Sequence, residues 1–251
     1  MTKWVIHEAV LQMDEYDRFE DAITKNNQQL VVYPDWLAPP DGDIVRCPVY
    51  HSIKYNNHRG VICNLDDLDT CRAYSRMESL LKRKWTSIKM GEFRKDPKPW
   101  MDLLNSTKIF IKVSRFGKFG GAHTIGLEDI EFYAKKYKIN DDEIMILASP
   151  ANFKKEYRVI VKDNMGLTAC QYKSNGVMDE QTLDPEEERK VLQWVNTNAI
   201  PLNGCKSPVY VLDIGIIGDA IWAIVEMNSF SSSGFYKCDM DKIVKALINT
   251  Y

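Results

Sequence analysis

Residues 209–234, VYVLDIGIIGDAIWAIVEMNSFSSSG, are the stretch that most restricts how this chain can fold. Two runs rich in β-branched residues flank a glycine-containing break. The pattern predicts a β-hairpin turning at 215–219, and an even loop there sets Asp213 opposite Ile224. Side chains alternate across a strand. Tyr210, Leu212, Ile214 and Ile216 therefore share one face with Ile221, Ala223, Val225 and Met227, and other elements must cover it. Asp213, Glu226 and Asn228 share the opposite face with Val209, Val211, Trp222 and Ile224.

Two carboxylates and an amide oxygen are hard oxygen donors, the type Mg²⁺ takes when it also holds substrate phosphates. The plainer reading is a solvated polar face. Against it stand the apolar neighbours, which penalise charged acids unless a cation offsets the cost.

At 251 residues the chain has room for one large domain or two small ones. Its formal net charge of −2 supplies no general attraction to nucleic acid or an anionic membrane. Six scattered cysteines show neither a CxxC pair nor zinc-site spacing, which predicts reduced thiols in a cytoplasmic protein. The N-terminal MTKWVIHEAV lacks a signal peptide's apolar core, and no run approaches the ~18 apolar residues that suggest a membrane span. A soluble, intracellular protein is expected.

In chain order, the pattern predicts a strand over 3–11, a helix over 14–25 and a strand over 28–33. After a proline-rich break it predicts a further strand over 44–53 and a helix over 66–85 with a basic end. KDPKPW, 95–100, reads as a connector because its prolines resist both regular structures. The boundary between an N-terminal α/β unit, 1–100, and a second unit, 101–251, is placed there. Beyond it come a strand with Lys112, a helix over 127–137, a strand over 143–149 stopped by Pro150, and two strands over 154–172 joined at 164–166. Helices over 184–198 and 239–251 complete the chain.

The strand KIFIKV runs into the glycine-rich RFGKFGG. Glycines let backbone N–H groups approach phosphate oxygens, and Lys112 and Lys118 would add point charges. A hairpin turn explains the same residues, since both the P-loop motif and the dinucleotide fingerprint are missing. Further on, Glu156, Arg158 and Ile160 share one strand face, with Tyr157, Val159 and Val161 on the other. The simplest reading of Glu156 and Arg158 is a same-face ion pair.

Taken together, the lysine strand, the glycine-rich loop, the LASP strand end, EYR, Asp213 and the E-x-N of 226–228 resemble an ATP-grasp domain. The likeness runs from about residue 100 to 240 and is greatest to the compact ATP-grasp proteins of bacteriophages and bacteria. It implies an α+β fold in which two α+β subdomains clamp ATP, preceded by a small α/β substrate-side domain. It also implies a ligase that forms an acyl phosphate from a carboxylate, releases ADP, and passes the acyl group to an amine or thiol.

Carried onto this sequence, the resemblance assigns Lys112, Lys118 and the backbone at Gly120 and Gly121 to the ATP phosphates. The backbone around Leu147, Ala148 and Ser149 would meet the adenine, and Glu156 would lie near the ribose. Arg158 would steady the γ-phosphate and the acyl phosphate, with Asp213, Glu226 and Asn228 holding Mg²⁺. An earlier phosphate-contacting lysine falls on Lys84, Lys89 or Lys95, and the proline that often follows the strand lysine is Val113 here. Ser229, Ser231, Ser232 and Ser233 stand where the acceptor approaches in relatives, or form a flexible loop.

Two other classes compete with the ligase. One is a nucleotide-binding regulatory or scaffolding module without turnover. The other, an adenylating nucleic-acid ligase, needs a KxDG lysine that this chain lacks. In the N-terminal unit only His7, Tyr50, His51, Tyr55, His58 and Arg59 stand out as polar groups for substrate choice, and each is more simply structural or on the surface.

Overall fold

The first strand of the structure, a computed structural model describing residues 1–115, 122–200 and 204–248, is the centre of a parallel sheet. β1 (Lys3–His7) lies between β2 (Gln29–Tyr33) and β3 (Ile44–Arg46). Helix Tyr16–Lys25 makes the crossover to β2 and buries Phe19, Ala22 and Ile23. A parallel strand covered on both faces needs a continuous apolar run, and Trp4, Val5 and Ile6 of β1 are all fully buried. The strand expected over 3–11 stops at His7, whose Nδ1 accepts the Ala9 N–H and starts a 3₁₀ turn over Glu8–Gln12. The strand expected over 44–53 stops at Arg46. Pro48 has no N–H to give a ladder and instead caps helix Val49–Lys54.

Four more strands form an antiparallel sheet: β4 (Trp85–Lys89), β5 (Ile109–Val113), β6 (His123–Ile125) and β7 (Ile144–Ala148), in the order β4-β7-β5-β6. β4 lies ahead of residue 100 yet pairs with β7. Helices Met90–Lys95, Lys98–Leu104 and Ile130–Lys136 pack Phe93, Leu104 and Tyr133 onto this sheet. The expected connector at 95–100 is instead a helix junction. Pro97 and Pro99 stand at the start of Lys98–Leu104, where a missing N–H has no intrahelical partner to lose.

The single helix expected over 66–85 is three short ones, Leu65–Leu68, Thr70–Arg76 and Glu78–Leu81. Asp69 interrupts the run by capping Arg72 N–H, and Lys82 ends it in a left-handed conformation at φ 52°.

The third sheet, antiparallel throughout, contains β8 (Phe153–Lys162), β9 (Met165–Ser174), β10 (Val177–Thr182), β11 (Val209–Ile217) and β12 (Ile221–Ser229), ordered β10-β9-β8-β11-β12. One face packs on helix Pro185–Trp194 and the short helices before β4, the other on Tyr16–Lys25 and the C-terminal helix Met240–Leu247. The strand pattern gave no warning of β10.

The β11–β12 register differs from expectation. A bulge between Asp213 and Ile214 sets Asp213 opposite Glu226 and Ile214 opposite Ile224. The turn occupies Gly218–Ala220, with Gly218 at φ 61°, a conformation that suits glycine. Ile224 and Trp222 consequently pack with Leu212, Ile214 and Met227 instead of beside the acids. Among the described residues, no helix is long and apolar enough to cross a membrane.

Candidate active site

Asp213 is the most enclosed member of the polar group on the hairpin, fully buried at the bulge. Its direct partner on β8 is Arg158. The guanidinium spans the carboxylate, Nε to Oδ1 at 2.9 Å and Nη2 to Oδ2 at 2.7 Å. This planar, two-bond geometry is the strong form of an ion pair. Burial works against the Arg158 charge, and Asp213 outweighs it and keeps the group protonated. Burial likewise pushes the Asp213 carboxyl up, and Arg158 opposes that shift without cancelling it.

Glu226 makes a second pair. Lys112 reaches it from β5, Nζ to Oε2 at 2.8 Å, and so links the second sheet to the third. Burial pushes the Glu226 carboxyl up, but Lys112 and the Asn228 hydrogen bond together bring it down to about 2. Asn228 Nδ2 lies 3.2 Å from Asp213 Oδ2 and 3.1 Å from Glu226 Oε1, bridging the two acids. The structure thus brings Lys112, Arg158, Asp213, Glu226 and Asn228 into one cluster of opposed charges. The two carboxylates and the Asn228 amide meet at one place, and with the amide turned so that Oδ1 replaces Nδ2 they are the hard oxygen donors that suit a magnesium ion.

Glu156 does not pair with Arg158. It accepts the Tyr172 hydroxyl at 2.6 Å and lies 3.7 Å from Lys173 Nζ. Arg158 faces its cross-strand acid instead, because a direct partner is nearer than a residue two places along the same strand. Arg158 Nη1 also donates to Gly234 O at 2.7 Å, and the guanidinium stacks on Tyr236 at 4.6 Å. Tyr236 in turn stacks on Tyr172, rings 5.4 Å apart and 6° from parallel.

β7 is paired on both sides as far as Ala148. Leu147 and Ala148 are fully buried, and Ser149 N–H donates to Lys84 O at 2.9 Å. Their strand backbone is engaged by its neighbours. Lys118, Gly120 and Gly121 lie outside the described residues.

The family model of an ATP-grasp domain, the third family of its clade, matches residues 58–247. The chain belongs to this ATP-grasp family. Solved structures agree on the α+β ATP-grasp fold. D-cycloserine synthetase DcsG superposes with a TM-score of 0.68 at 10% identity, covering 98% of each chain. D-alanine–D-alanine ligase from Bacillus anthracis complexed with ATP gives 0.63 at 13% identity, covering 100% of this chain and 97% of that one. ATP-grasp ligase PsnB complexed with minimal precursor gives 0.58 at 10%, covering 99% and 98%. At such identities the likeness is one of fold. No curated protein matches the sequence.

In this ATP-grasp chain hydrogen bonds tie Ser229, Ser231 and Ser233 to neighbouring backbone. Ser229 Oγ donates to Ile62 O at 2.9 Å, Ser231 Oγ accepts the Ile62 N–H at 2.8 Å, and Ser233 Oγ donates to Ser229 O at 2.5 Å. Arg46, itself buried, donates to Phe230 O and Ser233 O at 2.5 and 2.6 Å.

Of the three candidate lysines ahead of β5, Lys89 pairs with Asp142, and Lys84 adjoins Ser149 at the end of β7. Arg83 was not among the expected groups. It lies over the Phe110 ring at 4.4 Å and donates to the Tyr74 hydroxyl, on the same side of β5 as Lys112. Tyr172 was also missed, although strand parity could have found it. Cys170 pairs directly with Arg158, which puts Tyr172 on the same face as a diagonal neighbour.

Proposed function

We propose that the chain is an ATP-dependent ligase that joins a carboxylate to an amine or a thiol through an acyl phosphate. The observation that carries this is the pairing of every cation in the cluster with a prospective metal ligand: Lys112 with Glu226, and Arg158 with Asp213. Phosphate oxygens draw Lys112 and Arg158, while the two carboxylates and Asn228 would hold the magnesium ion that accompanies ATP. Each charge exchanges one partner for another of the same sign, so the site stays neutralised with and without nucleotide. Magnesium supplies charge neutralisation at the phosphates.

In this reading the nucleotide lies between 108–149 and the 209–236 hairpin, its adenine at the Ser149 end and its ribose towards Glu156. Lys118, Gly120 and Gly121 stay proposed as phosphate contacts. A substrate carboxylate oxygen attacks the γ-phosphorus and ADP leaves. The amine or thiol then attacks the acyl carbon, phosphate departs, and the nucleophile gives up its proton. Arg158 matches the transferred phosphoryl group in both steps, because a guanidinium meets two oxygens at once. The N-terminal unit supplies the substrate side, with β4 lent to the nucleotide sheet.

The test is ADP release from Mg·ATP in the presence of a panel of amino acids, peptides and other carboxylates. Hydroxylamine, which traps an acyl phosphate as a hydroxamate, serves as a second readout. A carboxylate that stimulates ADP release and yields hydroxamate supports the ligase. Tight ATP binding with no stimulation by any carboxylate points instead to a nucleotide-binding module without turnover.

A further inference from the structure

Outside this cleft, three side chains converge on a single oxygen at the C-terminal ends of β1 and β2. His7 Nε2 lies 3.2 Å from Asp35 Oδ1, and His51 Nε2 lies 3.6 Å from the same atom. The Tyr50 hydroxyl donates to it as well. Both imidazoles are buried and their rings are 4.4 Å apart, whereas the Asp35 side chain is 59% exposed. Exposed Trp36 and Leu37 follow Asp35 in the chain.

Two histidines and an aspartate invite a metal, but the hydrogen bonding argues otherwise. His7 Nδ1 accepts the Ala9 N–H at 3.0 Å, so a neutral ring carries its proton on Nε2. The Tyr33 hydroxyl lies 3.4 Å from His51 Nδ1, and burial pushes that phenol well up, so it stays protonated and able to donate. Where that hydroxyl donates to His51 Nδ1, the His51 proton is also on Nε2. A metal takes a ring nitrogen's lone pair, and the inward nitrogen of neutral His7 presents a hydrogen.

The present occupant is also imperfect. His7 Nε2 is buried with no hydrogen-bond partner, since Asp35 is near but misaligned.

We propose that His7, His51 and Tyr50 form a carboxylate cradle that takes the free carboxylate of a small substrate, an amino acid or short peptide. Asp35 is a tethered stand-in that leaves when the substrate enters. The term substrate rests on the ligase reading; the cradle itself rests on its three donors. Contacts connect it to the reactive cluster. Cys47, between Arg46 and the His51 helix, donates its N–H to Ser231 O at 2.8 Å. Arg46 grips Ser233 O, and the next carbonyl, Gly234 O, accepts from Arg158.

Sodium acetate, added without ATP to the whole protein, is the probe. The readout is the histidine C2–H proton resonances, with His7 and His51 assigned by His7→Gln and His51→Gln. Acetate should shift both resonances saturably, and sodium chloride at equal ionic strength should not. Asp35→Ala, a change on an exposed loop, should bind acetate about tenfold more tightly, because an occluded site weakens apparent affinity in proportion to its open fraction. Tyr50→Phe in the Asp35→Ala background should weaken acetate binding.

If Zn²⁺ alone perturbs both resonances at one equivalent while acetate does not, the cluster is a metal site and the proposal falls. If acetate moves neither resonance in wild type or Asp35→Ala, the cluster is structural and the proposal falls equally. Turnover is not measured, so a protein that activates no carboxylate leaves this titration decisive.

Discussion

Arg158 and Asp213 are direct cross-strand partners on β8 and β11, joined by two hydrogen bonds and almost wholly removed from solvent. Breaking a buried pair from one side strands the other charge, which typically costs about 3–5 kcal/mol. Arg158→Ala should therefore destabilise the protein by about that amount in urea unfolding. Arg158→Lys keeps the charge but loses the planar fork. It should fold and bind Mg·ATP while losing hydroxamate formation by about 100-fold or more, the scale of a lost transition-state contact. Equal losses in affinity and turnover would mark Arg158 as an ordinary binding group.

Glu226 is only partly enclosed and its loss should be local. Glu226→Gln is expected to fold, with a melting temperature lowered by the loss of the ion pair with Lys112. At ~100 times its dissociation constant a ligand stabilises the native state by roughly 2.7 kcal/mol, and each kcal/mol is worth about 2–4 °C in a chain of this size. Wild type should shift by ~5–10 °C with Mg·ATP and the variant by much less. A full shift in the variant removes Glu226 from the proposed metal site.

The same residue gives a signed pH dependence. Lys112 and Asn228, acting against burial, hold Glu226 at about 2 in the folded protein, below its ordinary 4.5. A depressed carboxyl contributes stability that is present above about pH 4.5 and is lost as pH falls towards about 2. The stability gap between wild type and Glu226→Gln, measured by urea unfolding at successive pH values, should shrink across that window. A gap unchanged from about pH 6 down to about pH 2 would show that the pair does not titrate this way.

Arg46 holds the serine segment to the parallel sheet. Burial pushes its guanidinium down to about 10, against the pull of Glu15, 3.9 Å away. Its face also lies 3.8 Å from the Phe235 ring. Arg46→Met leaves the Phe230 and Ser233 carbonyls and the Glu15 carboxylate without this cation, and about 3–5 kcal/mol of stability should go with it. Amide hydrogen exchange should rise selectively over 229–235. Uniform protection there would mean that the serine contacts to Ile62 suffice.

Strand parity placed Asp213, Glu226 and Asn228 on one face, and their mutual contacts agree. It did not give the register. The bulge sits where Val225 turns its carbonyl towards Tyr74 and Arg83, each 3.5 Å away, contacts made by chain 151 and 142 residues earlier. β4 was hidden because the basic run before Trp85 reads as a helix end, and only pairing with β7 makes 85–89 a strand. Glu156 and Arg158 looked like partners because spacing along one strand is visible in a sequence. The acid that takes Arg158 is on another strand, 55 residues away.

The second sheet meets the rest of the molecule at a neck two strands wide. Lys84 and Ser149, the residues flanking its first and last strands, are hydrogen-bonded to each other, Ser149 N–H to Lys84 O at 2.9 Å and Lys84 N–H to Ser149 Oγ at 3.2 Å. Between them the chain buries a core of its own, from Ile88 to Leu147. The lobe also shares packing with the third sheet, since Ile146 of β7 and Trp85 of β4 join the core on that side. Its polar contacts with the rest of the molecule include Lys112 on Glu226, and the Ser114 hydroxyl with Asp69 and the Cys71 N–H. Lys112 and Glu226 thus join the second sheet to the third. If, as proposed, the ATP phosphates draw Lys112 away from Glu226, this contact between the second and third sheets is exchanged for one with the nucleotide.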